Sequence, residues 1–199
     1  MTVALRAVSF AFLSASIFLS GCSMGDLQSP APAPSGLPHI SGVVHGGQSP
    51  ISGAAIQLYA ANMTADLGVS APLLTSTVTT ANDGTFSITG KYTCPTTNPP
   101  VYLVSTGGNP GLGGSVNNTD IVLMASLGLC STLTNSTYVV INEFSTVGMA
   151  YLVAPFMQDA THIGASPTNF GAMPFWFTSA AGFNNDPYGL ASASSLVGL

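Results

Sequence analysis

Side chains suited to acid–base or metal chemistry are scarce in this 199-residue sequence, which has three histidines, seven acidic residues and two basic residues. His39 and His45 are six positions apart across a predicted strand, so both side chains can lie on one face, as in a metal-binding pair. No third ligand follows from the spacing, and a solvated strand surface explains the two histidines more simply. Glu143, the single glutamate, starts a predicted helix, where the helix dipole stabilises a carboxylate. We therefore predict no enzyme activity, no metal site and no cofactor.

Longer motifs of catalysis and ion binding point the same way. The sequence has no Gly-x-Ser-x-Gly elbow, no His-Glu-x-x-His helix and no Walker loop. The glycine-rich segment 107–114 lacks the Lys-Ser/Thr that would follow a phosphate loop, which favours a surface loop between strands. Asp120 with Asp66 or Asp83 is a calcium alternative, although isolated acids in turns normally bond to their own backbone.

An aromatic cluster near the C-terminal end is the best candidate for ligand recognition. It contains Phe175, Trp176, Phe177 and Tyr188, with Asn185 close by in the sequence. Aromatic faces beside amide groups suit sugar rings, which present C–H patches next to hydroxyls. We predict that these five residues form a carbohydrate-binding set. The alternative is that the aromatic rings pack in the core of a helical segment.

Two cysteines in the body of the chain, Cys94 and Cys130, are 36 positions apart. We predict a disulfide between them, which in the chain-entropy model stabilises the fold by about 4 kcal/mol. The alternative is a pair of buried free thiols.

The N-terminal residues have the layout of an export signal. Arg6 is followed by the uncharged run 7–19, and then by Ser20, Gly21 and Cys22. Leu19-Ser20-Gly21-Cys22 resembles a bacterial lipobox. The resemblance implies that residues 1–21 are a signal peptide and that Cys22 carries the lipid chains that hold the protein on a membrane. The alternative is a transmembrane helix, but the run is shorter than the roughly 20 residues that cross a bilayer.

The charge balance restricts the partners. Beyond the signal peptide Lys91 is the single basic residue, against seven acids. Nucleic-acid binding requires several Lys or Arg on one surface, so we predict no nucleic-acid partner. The predicted partners are the membrane, through the lipid at Cys22, and glycans or other envelope proteins. The predicted location is the cell envelope, at the outer membrane, the cell surface or the periplasmic face.

The rest of the sequence divides by composition. Residues 22–38 are rich in proline and predict a semi-rigid tether. Residues 39–130 contain short alternating runs separated by turn residues, which predict a small antiparallel β-sandwich of immunoglobulin-like architecture. The predicted strands are 53–60, 73–80, 85–89, 101–105 and 121–125, with turns at Pro50–Gly53 and a hairpin at Asn82–Gly84.

Three segments of this region resemble the carboxypeptidase regulatory-like domain, which is a prealbumin-like sandwich. They are Ile40-Ser41-Gly42-Val43-Val44, the segment Pro50 to Tyr59, and Asp83-Gly84-Thr85-Phe86-Ser87-Ile88. The resemblance implies a fold and a structural or interaction role, with no peptidase activity.

Residues 131–199 predict one strand, 138–141, and a short helical appendage. The first helix is predicted over 143–154, with Phe144, Val147, Tyr151 and Leu152 on one face, and the second over 170–183, broken at Pro174. Asn142-Glu143-Phe144-Ser145-Thr146-Val147 and Ala154-Pro155-Phe156 resemble a segment that follows this sandwich in uncharacterised secreted bacterial proteins. We therefore interpret the chain as a shortened relative of a longer protein.

Three functions follow from the sequence. The first is a non-enzymatic, lipid-anchored envelope protein with a structural or adhesive sandwich. The second is a carbohydrate-binding accessory lipoprotein for polymer uptake. The third is the retained anchor of a secreted hydrolase.

Overall fold

The computed structural model describes residues 39–90, 92–113 and 116–182. The predictions that rest on residues 1–38, including lipidation of Cys22, and on Tyr188 and Asn185 lie outside these residues. The described strands and α-helices are, in chain order, β1 (Ile40–Gly46), β2 (Ser49–Pro50), β3 (Ala55–Ala60), β4 (Ala71–Pro72), β5 (Val78–Thr79), β6 (Thr85–Ile88), β7 (Pro100–Thr106), β8 (Val122–Leu129), β9 (Thr137–Ile141), α1 (Glu143–Val153), β10 (Met157–Asp159), β11 (His162–Ile163) and α2 (Met173–Ala181).

The strands form two main sheets, and the predicted mainly β fold is confirmed. In the first sheet β1 is central and pairs antiparallel with β2 and β6. It also pairs in parallel with β9, through the register Ile40 to Thr137 and Val44 to Ile141. The sequence analysis places this strand in the C-terminal segment 131–199, whereas in the structure it is part of the first sheet.

The second sheet is antiparallel throughout. β3 pairs with β7 along its whole length, β7 pairs with β8, and the short strands β4 and β5 share the other edge of β3. The predicted strand 73–80 is therefore wrong for residues 73–77, which form a loop between β4 and β5. Threonine alternation alone did not distinguish an exposed loop from an edge strand.

A hydrophobic core fills the space between the two sheets. It takes alternate residues from both sheets, as expected for strands with one face turned inward. Its members include Ile40, Val44, Ile56, Leu58, Phe86, Ile88, Val101, Leu103, Leu123, Ala125, Val139 and Ile141. The Cys94–Cys130 disulfide borders this core and confirms the predicted pairing of the two cysteines.

A second core lies on the opposite face of the second sheet. There the intervening residues of β7 and β8 pack against α1, α2 and the β10–β11 hairpin. Tyr102 and Met124 belong to this core, together with Phe177 of α2 and Met149 of α1. The near-continuous apolar runs of β7 and β8 follow from this arrangement, because both faces of these strands are buried.

Two turns predicted from the sequence connect the sheets to each other. The turn at Asn82–Gly84 is present, with Gly84 at φ 77°, but β5 pairs with β3 and β6 pairs with β1. The predicted hairpin is thus a crossover from one sheet to the other. The segment Ile51–Ala54 likewise leads from β2 in the first sheet to β3 in the second.

α1 begins at a capping box. The Asn142 side chain accepts a hydrogen bond from the Ser145 backbone N–H at 2.8 Å, and Ser145 Oγ accepts one from the Asn142 backbone N–H at 3.0 Å. The predicted apolar face is half right: Leu152 is buried and Phe144 packs against the same core, whereas Val147 and Tyr151 are two-thirds exposed. Met149, which the prediction left out, is fully buried on the face that packs against β8. Pro174 lies in the first turn of α2, which begins at Met173, and it does not break the helix, because the first turn of a helix tolerates proline. Among the described residues, no helix combines the length and the apolar character that a membrane span needs.

Candidate functional site

The outer face of the second sheet is the surface on which the candidate site is built. Its outward-facing side chains form three cross-strand rows on β3, β7 and β8, set by the strand register: Ala55, Thr106 and Val122; Gln57, Val104 and Met124; Tyr59, Tyr102 and Ser126. The third row lies beneath the helical layer, where Ser126 Oγ donates to the Phe177 carbonyl oxygen at 2.7 Å. The first row lies at the end of the sheet that the helices leave open, and Val122 there is 45% exposed.

A cleft of about 420 Å³ occupies this open end of the sheet face. Its floor includes Ala55, Gln57, Val104, Thr106 and Val122, and Tyr59 also lines it. One wall is the loop of residues 75–77, and the other is the tip of the β10–β11 hairpin at 160–161. Two segments that are distant in sequence therefore enclose one sheet surface.

A buried hydrogen-bond network holds the hairpin wall in place. The Tyr102 hydroxyl donates to Ser70 Oγ at 2.8 Å, with the Ala160 carbonyl oxygen 3.1 Å away as a second acceptor. Ser70 Oγ in turn donates to the Ile163 carbonyl oxygen at 3.1 Å. Burial raises the pKa of Tyr102 well above its usual range, so this hydroxyl keeps its proton at neutral pH. The Tyr59 ring stacks on the Tyr102 ring, with centroids 5.6 Å apart.

The turn of the same hairpin contains an Asp–His pair that the sequence analysis did not single out. Asp159 Oδ2 lies 2.9 Å from His162 Nδ1, and Asp159 Oδ1 accepts from the Thr161 backbone N–H at 2.7 Å. The hydrogen bond from His162, helped by those from Thr161, holds the pKa of Asp159 well below its usual range. The spacing Asp-Ala-Thr-His was the available signal, because an aspartate commonly bonds to the backbone two residues later in a turn.

This pair has the form of a base and its orienting carboxylate, but its contacts are those of a turn. Within the described residues, the His162 ring forms hydrogen bonds with the side chains of Asp159 and Thr161, in both cases through Nδ1. A nucleophile at Nε2, which acyl transfer would require, is not among them. The arrangement therefore closes the hairpin.

The predicted aromatic cluster divides between surface and core. Phe177 is fully buried against Tyr102, with ring centroids 6.0 Å apart, and is not accessible to a ligand. Phe175 is 62% exposed and meets the half-buried Trp176 edge to face at 5.2 Å. Phe175 and Trp176 are thus the described members of the cluster that reach the surface.

The remaining candidate groups belong to different elements: His39 precedes β1, His45 lies in β1 and Glu143 is the first residue of α1. His39 Nε2 lies 2.9 Å from Ser87 Oγ, and Glu143 Oε1 accepts from the Gly47 backbone N–H at 2.7 Å. In residues 39–90, 92–113 and 116–182, no three side chains of His, Cys, Asp or Glu come together as metal ligands.

The acids considered for calcium bond to their surroundings in the same way as Asp159. Asp66 accepts a hydrogen bond from the Ser166 backbone N–H at 2.7 Å, and this bond lowers the pKa of Asp66. Asp83 accepts hydrogen bonds from the hydroxyl and the backbone N–H of Thr85, and these bonds lower the pKa of Asp83. In the glycine-rich segment, Gly108 N donates to Asn117 Oδ1 at 2.6 Å, and Asn109 forms an antiparallel bridge with Ser52. Side-chain and backbone bonds therefore attach this loop to its neighbours.

Comparison with protein-family models, with curated proteins and with solved structures finds no match for this chain.

Proposed function

We propose that this protein is a non-enzymatic, lipid-anchored component of the cell envelope, whose β-sandwich is a structural or adhesive module. In this proposal Cys22 carries the lipid, residues 22–38 are the tether, and the two-sheet body stands outside the cytoplasm. The resemblance of residues 40–88 to the carboxypeptidase regulatory-like domain supports the same role.

The observation that carries the proposal is the disulfide between Cys94 and Cys130. Structural disulfides form and persist in oxidising compartments and are rare in the cytoplasm. A disulfide in the folded body therefore agrees with an export signal at the N-terminal end.

The use of the acidic side chains supports a structural role. Four of them accept a hydrogen bond from a backbone N–H of another residue, namely Asp66, Asp83, Glu143 and Asp159. These bonds close turns or join loops across the fold. A carboxylate used in this way favours a rigid scaffold over proton transfer.

The anchor is tested by expressing the full chain in a bacterium that is fed a clickable palmitate analogue. We expect the wild-type chain to be labelled and to sediment with membranes, and Cys22→Ala to be unlabelled and released. The double variant Cys94→Ala/Cys130→Ala is the matched control, because it removes two cysteines and keeps the acylated one. Label on Cys22→Ala, or a wild-type chain without label, would contradict the proposal.

A second candidate function is carbohydrate binding through α2, as an accessory to polymer uptake. The exposed Phe175 beside Trp176 favours it, because adjacent aromatic faces at the surface suit sugar rings. If α2 is the binding surface, Trp176→Ala loses binding on a glycan array while its melting temperature stays unchanged. A lowered melting temperature with binding retained would assign Trp176 to packing alone.

A further inference from the structure

We infer that the cleft on the open end of the second sheet is a binding site for neutral carbohydrate. This inference is independent of the lipid anchor and of the α2 aromatics, because it concerns a different surface of the protein. It rests on the shape of the cleft, its chemistry and the way its aromatic ring is held.

The shape is that of a ligand site. The volume of about 420 Å³ lies within the range of roughly 300–1,000 Å³ that is usual for small-molecule pockets. The floor is a sheet surface whose cross-strand register fixes the side chains, and the two walls come from separate loops.

The chemistry of the lining selects an uncharged, hydroxyl-rich ligand. None of the described lining residues is Asp, Glu, Lys, Arg or His. The hydroxyls of Thr75, Ser76, Thr77 and Thr106 have no hydrogen-bond partner within the part of the chain that the structure describes, and all four residues are exposed. Each hydroxyl can donate one hydrogen bond and accept others, which matches the hydroxyls of a sugar.

Gln57 adds a directional group to this floor. Its Oε1 accepts from the backbone N–H groups of Leu58 and Leu74, at 2.9 and 3.0 Å. These two bonds fix the orientation of the amide and leave its nitrogen as a donor. The same bonds tie the loop wall to β3, so the amide and the wall are held together.

Tyr59 supplies the apolar surface that a sugar ring requires. Its ring lines the cleft and is held by stacking on Tyr102, whose hydroxyl is fixed by Ser70 and Ala160. A ring that is already immobilised loses little conformational freedom when a ligand stacks on it. Val104 and Val122 extend the apolar part of the same surface.

A negative charge nearby disfavours acidic sugars. Asp159 stands in the hairpin that forms one wall, next to Ala160 and Thr161, and its lowered pKa keeps it ionised at neutral pH. An anionic ligand would meet this charge without a described Lys or Arg in the lining to balance it. Neutral carbohydrate is therefore the class that fits the cleft.

The test is affinity electrophoresis of the full chain in gels that contain xylan, glucomannan, dextran, glycogen or hydroxyethyl cellulose, with polygalacturonate as the acidic probe. We expect retardation by at least one neutral polymer and none by polygalacturonate. No retardation by any of the five neutral polymers would overturn the inference. Retardation by polygalacturonate alone would overturn it too.

Variants then locate the binding. Tyr59→Ala should weaken binding to the retained polymer about tenfold or more, whereas Tyr59→Phe should retain it, because the ring supplies the contact. Val122→Arg inserts a charged chain into the cleft from an exposed position and should have the same effect as Tyr59→Ala. It keeps the test decisive if Tyr59→Ala does not fold.

The matched control is Tyr151→Ala, which removes an exposed tyrosine ring of α1 outside the cleft. We expect it to bind as the wild type does. Unchanged binding in Val122→Arg would overturn the inference. Binding lost in Trp176→Ala and kept in Tyr59→Ala would overturn it too, and would assign recognition to α2. Both results would leave the lipid-anchor experiment unaffected.

Discussion

Removal of the Cys94–Cys130 disulfide is the perturbation whose effect follows most directly from the structure. Cys94 lies in the connection between β6 and β7, and Cys130 follows the end of β8, so the bond closes a loop that contains the paired strands β7 and β8. Cys130 is buried at the edge of the inner core, whereas Cys94 is half-buried. The folded state already holds the two ends together, and the cross-link therefore acts mainly on the unfolded chain.

The size of the effect comes from the length of the closed loop. For a sequence separation of 36 residues, the chain-entropy model gives a stabilisation of about 4 kcal/mol at 25 °C. For a domain of this size each kcal/mol shifts the melting temperature by about 2–4 °C, so we expect a loss of about 8–16 °C. The urea m-value should rise as well, because an unfolded chain without the cross-link exposes more surface.

Equilibrium urea unfolding at pH 7 measures these quantities for three samples: the oxidised wild type, the wild type reduced before unfolding, and Cys94→Ala/Cys130→Ala. The difference between the first two isolates the cross-link. The difference between the last two isolates the packing lost with the sulfur atoms. If the oxidised and reduced wild types differ by less than about 1 kcal/mol and share one m-value, the loop-entropy reasoning is refuted.

Two further predictions concern packing and pH. Gly42→Ala should destabilise the fold by about 1–3 kcal/mol or more in urea unfolding, because its new methyl group would clash with the Val139 backbone carbonyl oxygen of the neighbouring β9 and would lie 2.8 Å from the Phe86 ring. Gly171→Ala, where the space is open, is the control and should be near neutral. In melts from pH 7 to pH 2, the wild type should lose stability as the pH falls below about 4. The pKa of Asp159 is lower in the folded state than in the unfolded state, so the bond from His162 stabilises the fold above the unfolded-state pKa. This stabilisation is lost as the pH falls towards the folded-state pKa. Asp159→Asn should reduce that pH dependence, and equal slopes for the two proteins would contradict the assignment.

The core strands could be read from the sequence with good accuracy. The alternation in β3 and β6, and the apolar runs of β7 and β8, are local properties that residues impose through side-chain period and burial. The disulfide was also predictable, because the sequence predicts export and neither of the two cysteines has a second ligand at metal-binding spacing. The start of α1 was predictable as well, because a helix cap depends on residues within one helical turn.

The pairing of strands was less accessible. The turn residues Asn82–Gly84 indicated a reversal of the chain but not its destination, and the structure sends β6 to the first sheet while β5 stays in the second. The parallel pairing of β9 with β1 joins segments about one hundred residues apart, and no local pattern encodes it. Val147 and Tyr151 were assigned to the buried face of α1 although they are exposed, because apolar residues occur all round this helix and packing against β8 decides which of them are buried.

The candidate site shows most clearly which properties follow from the sequence alone and which follow from the tertiary structure. The sequence by itself determined the cysteine pair, the strand-forming segments and the shortage of charged groups, because each depends on residue type and spacing along the chain, and the export signal predicted at its start rests on the same kind of information. Tertiary structure alone decided that Tyr59, Thr106 and Val122 share one sheet surface, and that the loop at 75–77 and the hairpin at 160–161 enclose it. Such a cleft is a product of long-range contacts, whose free energy depends on how all the elements pack together.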